Sequence, residues 1–441
     1  MMADDHGWGD TGYNGHPFVK TPHLDQMASD GLRFDRWYAA APVCSPTRGS
    51  CLTGRHPHRY GVYFANTGSL KSQEDSLAEV LKNKDYATGH FGKWHLGSMT
   101  TKVKDSNRGG PGSEQIYSPP WDNGFDVCFS TESKVPTFNP MMNPPTVARE
   151  AKRNVPEGGF YGAHYWTGPD QSVDHDQLKG DDSQLIMNHA VDFIKTSTKT
   201  NKPFFAVIWF HAPHTPVLAD EQHRGLYPNH PHGLYGQHYH GCITALDEQV
   251  GRLRSTLKSL GVEDNTMVWY ASDNGPESDA KKGAGSAGEF RGRKRSLYEG
   301  GIRVPGLLVW PSRVRKSRSI NMPTVSSDLL PTICEAIGIK RKQRPYDGVS
   351  LLPLIDGTMD ERQEPIGFQS RNQLAYIGQQ YKLYSKDKGE TWELYDLTTD
   401  PGENNDIAAA QPERVETMSL NLKKWIHSCS ESDAGKDYAV D

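Results

Sequence analysis

Phe204-Phe205-Ala206-Val207-Ile208-Trp209-Phe210 is a continuous apolar run of strand length, far too short to span a bilayer. With no polar residue alternating through it, the run fits a central parallel strand covered on both faces. A helical pattern precedes it over 182–197, with Ile186, Ala190, Phe193 and Ile194 on one face. His211-Ala212-Pro213-His214-Thr215-Pro216 follows it. Open α/β sheets bind ligands at the carboxyl ends of their strands. The run that sets the fold class thus carries two histidines to the edge where chemistry is expected.

Thr266-Met267-Val268-Trp269-Tyr270-Ala271 repeats the arrangement. An amphipathic helix (Ile243, Leu246, Val250, Leu253, Leu257, stopped by Gly261) leads into it, and Ser272-Asp273-Asn274-Gly275 leaves it. At the other end of the chain stands Asp4-Asp5-His6-Gly7-Trp8-Gly9-Asp10. Paired carboxylates at a strand end suit a hard cation, and a carboxylate beside a carboxamide supplies two more oxygen ligands of the same kind. Taken singly, each stretch also reads as an ordinary polar turn.

Cys44-Ser45-Pro46-Thr47-Arg48-Gly49-Ser50-Cys51-Leu52-Thr53-Gly54-Arg55 is the third unusual stretch. Pro46 favours a helix start, which puts Cys44 near a helix N-terminus, where backbone N–H groups attract anions. Arg48 lies one turn further on. Alone, Cys44 and Cys51 read equally as a disulfide or as buried thiols. Tyr86 to Gly97 contains Gly92-Lys93-Trp94-His95; in an extended strand Lys93 and His95 would point to the same side.

The run from Cys44 to Arg55 matches without a gap the Cys-x-Pro-x-Arg and Leu-Thr-Gly-Arg signature, and so resembles the type I sulfatases of the alkaline phosphatase superfamily. Gly92 to His95 resembles that family's second signature, departing from it upstream at Asp85 and Phe91. Asp4 to Asp10, Pro213 to Pro216, Asp273-Asn274 and Lys294-x-x-x-Tyr298-Glu299-Gly300-Gly301 are similar to further family segments, in family order. The resemblance implies a large, mostly parallel mixed sheet sandwiched by helices, with a small C-terminal antiparallel sheet plus helix. It implies hydrolysis of a sulfate ester by a formylglycine made from Cys44, through a formylglycine-generating enzyme or an anaerobic maturase. Ca2+, or Mg2+, would be held by Asp4, Asp5, Asp273 and Asn274 together with residue 44. An all-oxygen, carboxylate-rich set suits those ions better than zinc. Arg48 and Lys93 would anchor the nucleophile and the sulfate, Asp273 and His95 would take protons, and His214 and Lys294 would serve the leaving oxygen, with His211 as a substrate neighbour. The family's export implies a periplasmic or secreted protein. No signal peptide stands before Asp4, so a leader and part of the first strand are expected upstream of Met1.

The 441 residues are expected to divide into a catalytic α/β unit, 1–357, and an α+β unit, 358–441. A net charge of −5 points to no nucleic-acid partner, and no run is long and apolar enough for a membrane span. Six scattered cysteines with no Cys-x-x-Cys pair argue against a zinc framework. His223, His230, His232, His238 and His240 crowd a stretch read as a Gly/Pro-rich loop, where the two His-x-His pairs could chelate a second metal, though without nearby cysteine or carboxylate ligands. Residues 98–184 form the least regular stretch; Trp121, Phe125, Phe138, Tyr161, Tyr165 and Trp166 either line a cleft and stack on sugar rings or cover ordinary surface. His164 is the polar candidate there for contact with substrate. These insertions favour a sulfated carbohydrate over a small aryl sulfate. The rival readings are a phosphomonoester or phosphonate hydrolase of the same superfamily and a catalytically inactive glycan-binding homologue.

Overall fold

The computed structural model describes residues 1–277 and 284–438. Ten strands make the large sheet, in the order Arg318–Ile320, Leu32–Phe34, Gly306–Val309, Val268–Ser272, Met2–Ala3, Phe204–Trp209, Ala87–Lys93, Val127–Thr131, Trp166–Gly168, Gln171–Ser172. The five strands from Val268–Ser272 to Val127–Thr131 are mutually parallel. Gly306–Val309 runs antiparallel to both of its neighbours, and the edge beyond Val127–Thr131 is antiparallel. The sheet is therefore mixed with a parallel centre, and Phe204–Trp209 lies in that centre as its unbroken apolar run requires.

Helices close both faces. Asp182–Lys199 packs through Ile186, Met187, Ala190, Phe193 and Ile194, together with the 27-residue helix Gly233–Ser259. That second helix begins ten residues before the apolar pattern at Ile243, so His238 and His240, read as loop residues, are helical. Val127–Thr131 is a regular parallel strand inside the stretch read as irregular. Phe125, Tyr161, Tyr165 and Trp166 belong to the core and present no ring to a cleft.

The C-terminal part is a four-stranded antiparallel sheet, Ile366–Ser370, Gln373–Ile377, Tyr381–Ser385 and Glu393–Asp396, with the helix Pro412–Asp433. Buried charge joins it to the helix Glu299–Ile302 and to the separate three-stranded sheet of Arg303–Val304, Trp37–Tyr38 and Thr324–Val325. Lys382 Nζ lies 3.0 Å from Glu299 Oε1 and 2.8 Å from Glu403 Oε1, and Tyr38 Oη donates to Glu299 Oε2 at 2.8 Å. A buried pair is costly to break from one side, because the remaining charge loses its compensation. Lys382→Met, which removes the cation shared by two buried carboxylates, is expected to destabilise the protein by about 3–5 kcal/mol. A urea or thermal unfolding midpoint unchanged from the parent would contradict this.

Candidate active site

Four neighbouring parallel strands end at one edge of the sheet. Met2–Ala3 delivers Asp4 and Asp5, Val268–Ser272 delivers Asp273 and Asn274, Phe204–Trp209 delivers His211 and His214, and Ala87–Lys93 ends in Lys93 itself. The registers Ala3 to Ser272 and Gly92 to Trp209 bring these ends level. Over them lies the wholly buried helix Cys44–Thr53, with Cys44 as its first residue. Cys44 Sγ, an oxygen of Asp4, an oxygen of Asp5 and a nitrogen of His214 all lie within 4.8 Å of one another.

Three cations face this group. Arg48 donates from Nε and Nη2 to Asp273 Oδ2 at 3.1 and 2.6 Å and from Nη1 to the Lys93 carbonyl at 2.9 Å; its Nη2 is 3.5 Å from Asp4 Oδ2. Lys93 Nζ donates to Asp4 Oδ2 at 2.6 Å, and Lys294 Nζ to Asp5 Oδ2 at 2.7 Å. Lys294 is carried by a loop that Gly275 allows to approach: its N–H bonds the Gly301 carbonyl at 3.0 Å, and a Cβ there would lie 2.0 Å from the Gly300 oxygen. Residues 281–283 of the basic stretch before Lys294 lie outside the described residues.

The oxygens left over fit a hard divalent cation. Asp4 Oδ1 and Asn274 Oδ1 are buried and have no hydrogen-bond partner among the described residues. Asn274 uses its Nδ2 on Asp5 Oδ1 at 2.7 Å and on the Gly275 carbonyl at 2.9 Å, which turns its oxygen toward the cluster. Burial opposes ionisation of Asp4, yet the cations Lys93, Arg48 and Lys294 outweigh it and hold its carboxyl well below the usual range. Burial wins at the other two: Asp5 is raised, and Asp273 is raised to about 7 with the neighbouring Asp4 adding to the effect. These carboxyls are short of positive charge, which a dication would supply. Asp5 also sits at φ 65°, a left-handed conformation uncommon outside glycine and typical of strained functional positions.

Burial pushes the Cys44 thiol up to about 12, so unmodified Cys44 carries almost no thiolate at neutral pH and is a poor nucleophile. His214 Nδ1 donates to the Thr215 carbonyl at 2.5 Å, which leaves Nε2 as the free lone pair, 3.7 Å from Asp5 Oδ2. Burial, then Lys294, hold this imidazole well below its usual pKa, so it is neutral. His95 follows the strand instead of continuing it: its φ is 61°, so alternation along an extended strand does not explain its placement beside Lys93.

His211 and His164 are both held by partners within the fold. His211 is fully buried, with Nδ1 2.7 Å from Asp182 Oδ2 and Nε2 2.8 Å from Thr131 Oγ1; both nitrogens are committed inside the fold, so it offers nothing to substrate. His164 is held by Asp105, at 3.2 Å from Nδ1, among Phe160 and Trp166. From that histidine stretch His240 meets Asp10 and His16, whereas His223 pairs with Asp220 and His238 accepts from the Ala219 N–H; the hydrogen bonds around His16 and His240 reject a metal. His16 Nδ1 accepts from Val19 N–H and His230 Nδ1 from His232 N–H. The neutral His230 ring must then donate from Nε2 to His240 Nδ1, 2.6 Å away. His16 and His240 therefore carry their protons on Nε2 and spend the Nδ1 lone pair on a donor, so neither neutral ring keeps a lone pair for a metal.

The motifs did not reveal Glu132, Ser133 and Lys134, which the unread strand Val127–Thr131 brings to the same edge. Ser133 Oγ lies 3.5 Å from His95 Nε2, and Lys134 pairs with Glu150. Burial, then Lys93 and Lys294, lower Lys134 to about 8. The signal was available: a short apolar and β-branched run just after Gly124.

The family described as Sulfatase matches residues 1–339, and the one described as N-sulphoglucosamine sulphohydrolase, C-terminal, matches residues 288–431. The chain is 32% identical over 425 residues to N-acetylgalactosamine-6-sulfatase of Mus musculus, covering 92% of this chain and 75% of the relative. To arylsulfatase A of Bos taurus it is 30% identical over 443 residues, covering 92% and 82%. The crystal structure of Ps i-CgsB superposes with a TM-score of 0.83 at 26% identity, covering 98% of this chain and 93% of the other; a second structure of that protein holds k-i-k-neocarrahexaose.

Ca2+ or Mg2+ at a hundred times its dissociation constant is expected to stabilise the protein by about 2.7 kcal/mol, read as a raised unfolding temperature. Asp4→Asn should remove most of that shift. A parent protein indifferent to both ions would overturn the cation assignment.

Proposed function

The chain belongs to the sulfatase family and is a sulfuric ester hydrolase, and from that premise we propose that it removes sulfate from a sulfated carbohydrate, using a formylglycine at position 44 and a bound Ca2+ or Mg2+. The observation that carries the reading is the convergence of residue 44, two aspartates and His214 within 4.8 Å, flanked by the buried cations Arg48, Lys93 and Lys294. Such a cluster offers fixed, charged donors to the terminal oxygens of a sulfate ester, a tetrahedral monoanion. A carbohydrate is favoured because the mouse relative is named for a sulfated sugar and a second structure of the superposed protein holds k-i-k-neocarrahexaose.

When present, the cation and the hydrated aldehyde would supply charge neutralisation and an oxygen nucleophile, held by Asp4, Asp5, Asp273 and Asn274. The remaining work falls to side chains of this chain. Arg48 holds Asp273 by two N–H groups, so Asp273 is oriented to accept a proton at Oδ1, which takes only the Asp5 N–H at 3.1 Å. Lys93 and Lys294 stay charged because Asp4 and Asp5 outweigh the burial that would neutralise them. Lys294, with the Nε2 of His214 beside it, faces the leaving oxygen, which must gain a proton or a compensating charge as the S–O bond breaks. His95, held neutral by burial and by Lys93, serves as the second base. Residues 358–441 brace this catalytic unit of 1–357.

Coexpression with a formylglycine-generating enzyme should lower the mass of the Cys44 peptide by the exchange of CH2–SH for CHO, and the protein should then release inorganic sulfate from sulfated oligosaccharides. Cys44→Ala should abolish release, and His214→Ala or Lys294→Ala should lower kcat by about 10²–10⁴. Full turnover by the Cys44→Ala protein would overturn the mechanism; an unmodified thiol under these conditions would favour the inactive glycan-binding reading.

A further inference from the structure

The ring of His95 is clamped by a scaffold that no step above uses. Its Nε2 lies 2.7 Å from Asn66 Oδ1, and its Nδ1 is buried without a partner among the described residues. An amide oxygen only accepts, so the proton of this neutral ring must sit on Nε2, and Nδ1 must be the lone pair. Asn107 fixes the amide in that orientation, because its Nδ2 donates to the same Asn66 Oδ1 at 3.0 Å and to Ser133 Oγ at 3.0 Å. The donor from Asn107 requires that atom to be the oxygen.

Buried Glu132 ties the whole arrangement together. Its Oε2 accepts from Asn107 N–H at 3.1 Å, and its Oε1 pairs with Arg108 Nε at 2.7 Å. Arg108 in turn donates from Nη1 to the Gly68 carbonyl at 2.8 Å, pinning the loop that carries Asn66. The carbonyl of Glu132 takes the His95 N–H at 3.0 Å. Both Asn66 and His95 adopt left-handed backbone, φ 62° and 61°, a conformation that asparagine and histidine enter more readily than most residues. A buried carboxylate, a buried arginine and two strained residues thus converge on one imidazole. Asn66 and Asn107 themselves are exposed, so neither amide is needed to fill the core.

We propose that Asn66, oriented by Asn107, is a positioning residue that fixes His95 as the Nε2–H tautomer, so that its buried, unpartnered Nδ1 is the atom that takes a proton in the reaction. This rests on the reading of His95 as a base. The base needs its lone pair on the buried Nδ1, and an acceptor at position 66 is what guarantees it; a donor there would select the opposite tautomer.

The test contrasts an acceptor with a donor at an exposed position where both variants fold. Asn66→Asp keeps only acceptors and should retain kcat within a few-fold. Asn66→Lys presents only donors and should lose about 10–100-fold in kcat with KM little changed. Imidazole 15N shifts, measured with histidine-labelled Cys44→Ser protein, provide the readout that needs no turnover: Nδ1 of His95 should be the unprotonated nitrogen in the parent and in Asn66→Asp, and Nε2 in Asn66→Lys. Equal kcat for the two variants would overturn the proposal, as would a parent ring protonated on Nδ1. If the parent shows no sulfatase turnover, the functional reading fails, while the 15N shifts still decide the tautomer.

Discussion

Arg48 is the side chain on which the site depends. It stands one turn into the helix that begins with Cys44, and it touches three different strand ends: Asp273, Asp4 and the carbonyl of Lys93. A guanidinium can do this because its donors are fixed in a planar fork, whereas an ammonium would meet one partner at a time. The face of Trp209, 5.2 Å away, lines its remaining side. Wholly buried, Arg48 keeps its charge because Asp273 and Asp4 outweigh the desolvation that opposes it. The helix that carries residue 44 is in this way locked to the strand edge that carries the carboxylates.

The same logic of compensated charge recurs away from the chemistry. Lys382 answers Glu299 and Glu403 beneath the C-terminal sheet. Asp347 accepts from Arg59 Nε and Nη2 at 2.8 and 3.0 Å and from Trp425 Nε1 at 2.7 Å, linking the segment after Cys44–Thr53 to the helix Pro412–Asp433. Buried ionic groups give little net stability, but each fixes a relative position that apolar packing would leave free to slide. Two layers of such contacts stand behind the catalytic edge.

Apolar runs and strand-end motifs were legible in the sequence because they obey local rules. Phe204–Trp209 lacks polar alternation and is central; Asp4-Asp5 and Asp273-Asn274 sit where parallel strands stop. Features set by partners distant in the chain were not legible. Gly233–Ser259 begins among glycine and histidine residues of low helical propensity, held by packing against Asp182–Lys199 and Glu221–Arg224. His211 has the look of a site residue and is drawn inward by Asp182, at the start of a preceding helix. Alternation placed Lys93 and His95 on one side for the wrong reason, since the turn at His95 is imposed by Glu132 and Asn66. The cluster at Asp10 matches a metal site by residue type, and only its hydrogen bonds show which nitrogens hold protons.

Met2–Ala3 lies in the middle of the sheet, yet its two neighbours, Phe204–Trp209 and Val268–Ser272, come from far along the chain. Pairings of that separation form late and slowly. During synthesis the helix of Cys44 emerges long before the strands that wall it in. At the usual pace of translation the interval between residue 44 and residue 273 lasts on the order of ten to fifty seconds. The finished fold leaves Cys44 only 2% exposed. The topology therefore acts as a clock: side chain 44 stays open until the strands that wall it in have been made, and closure of the central strand seals it.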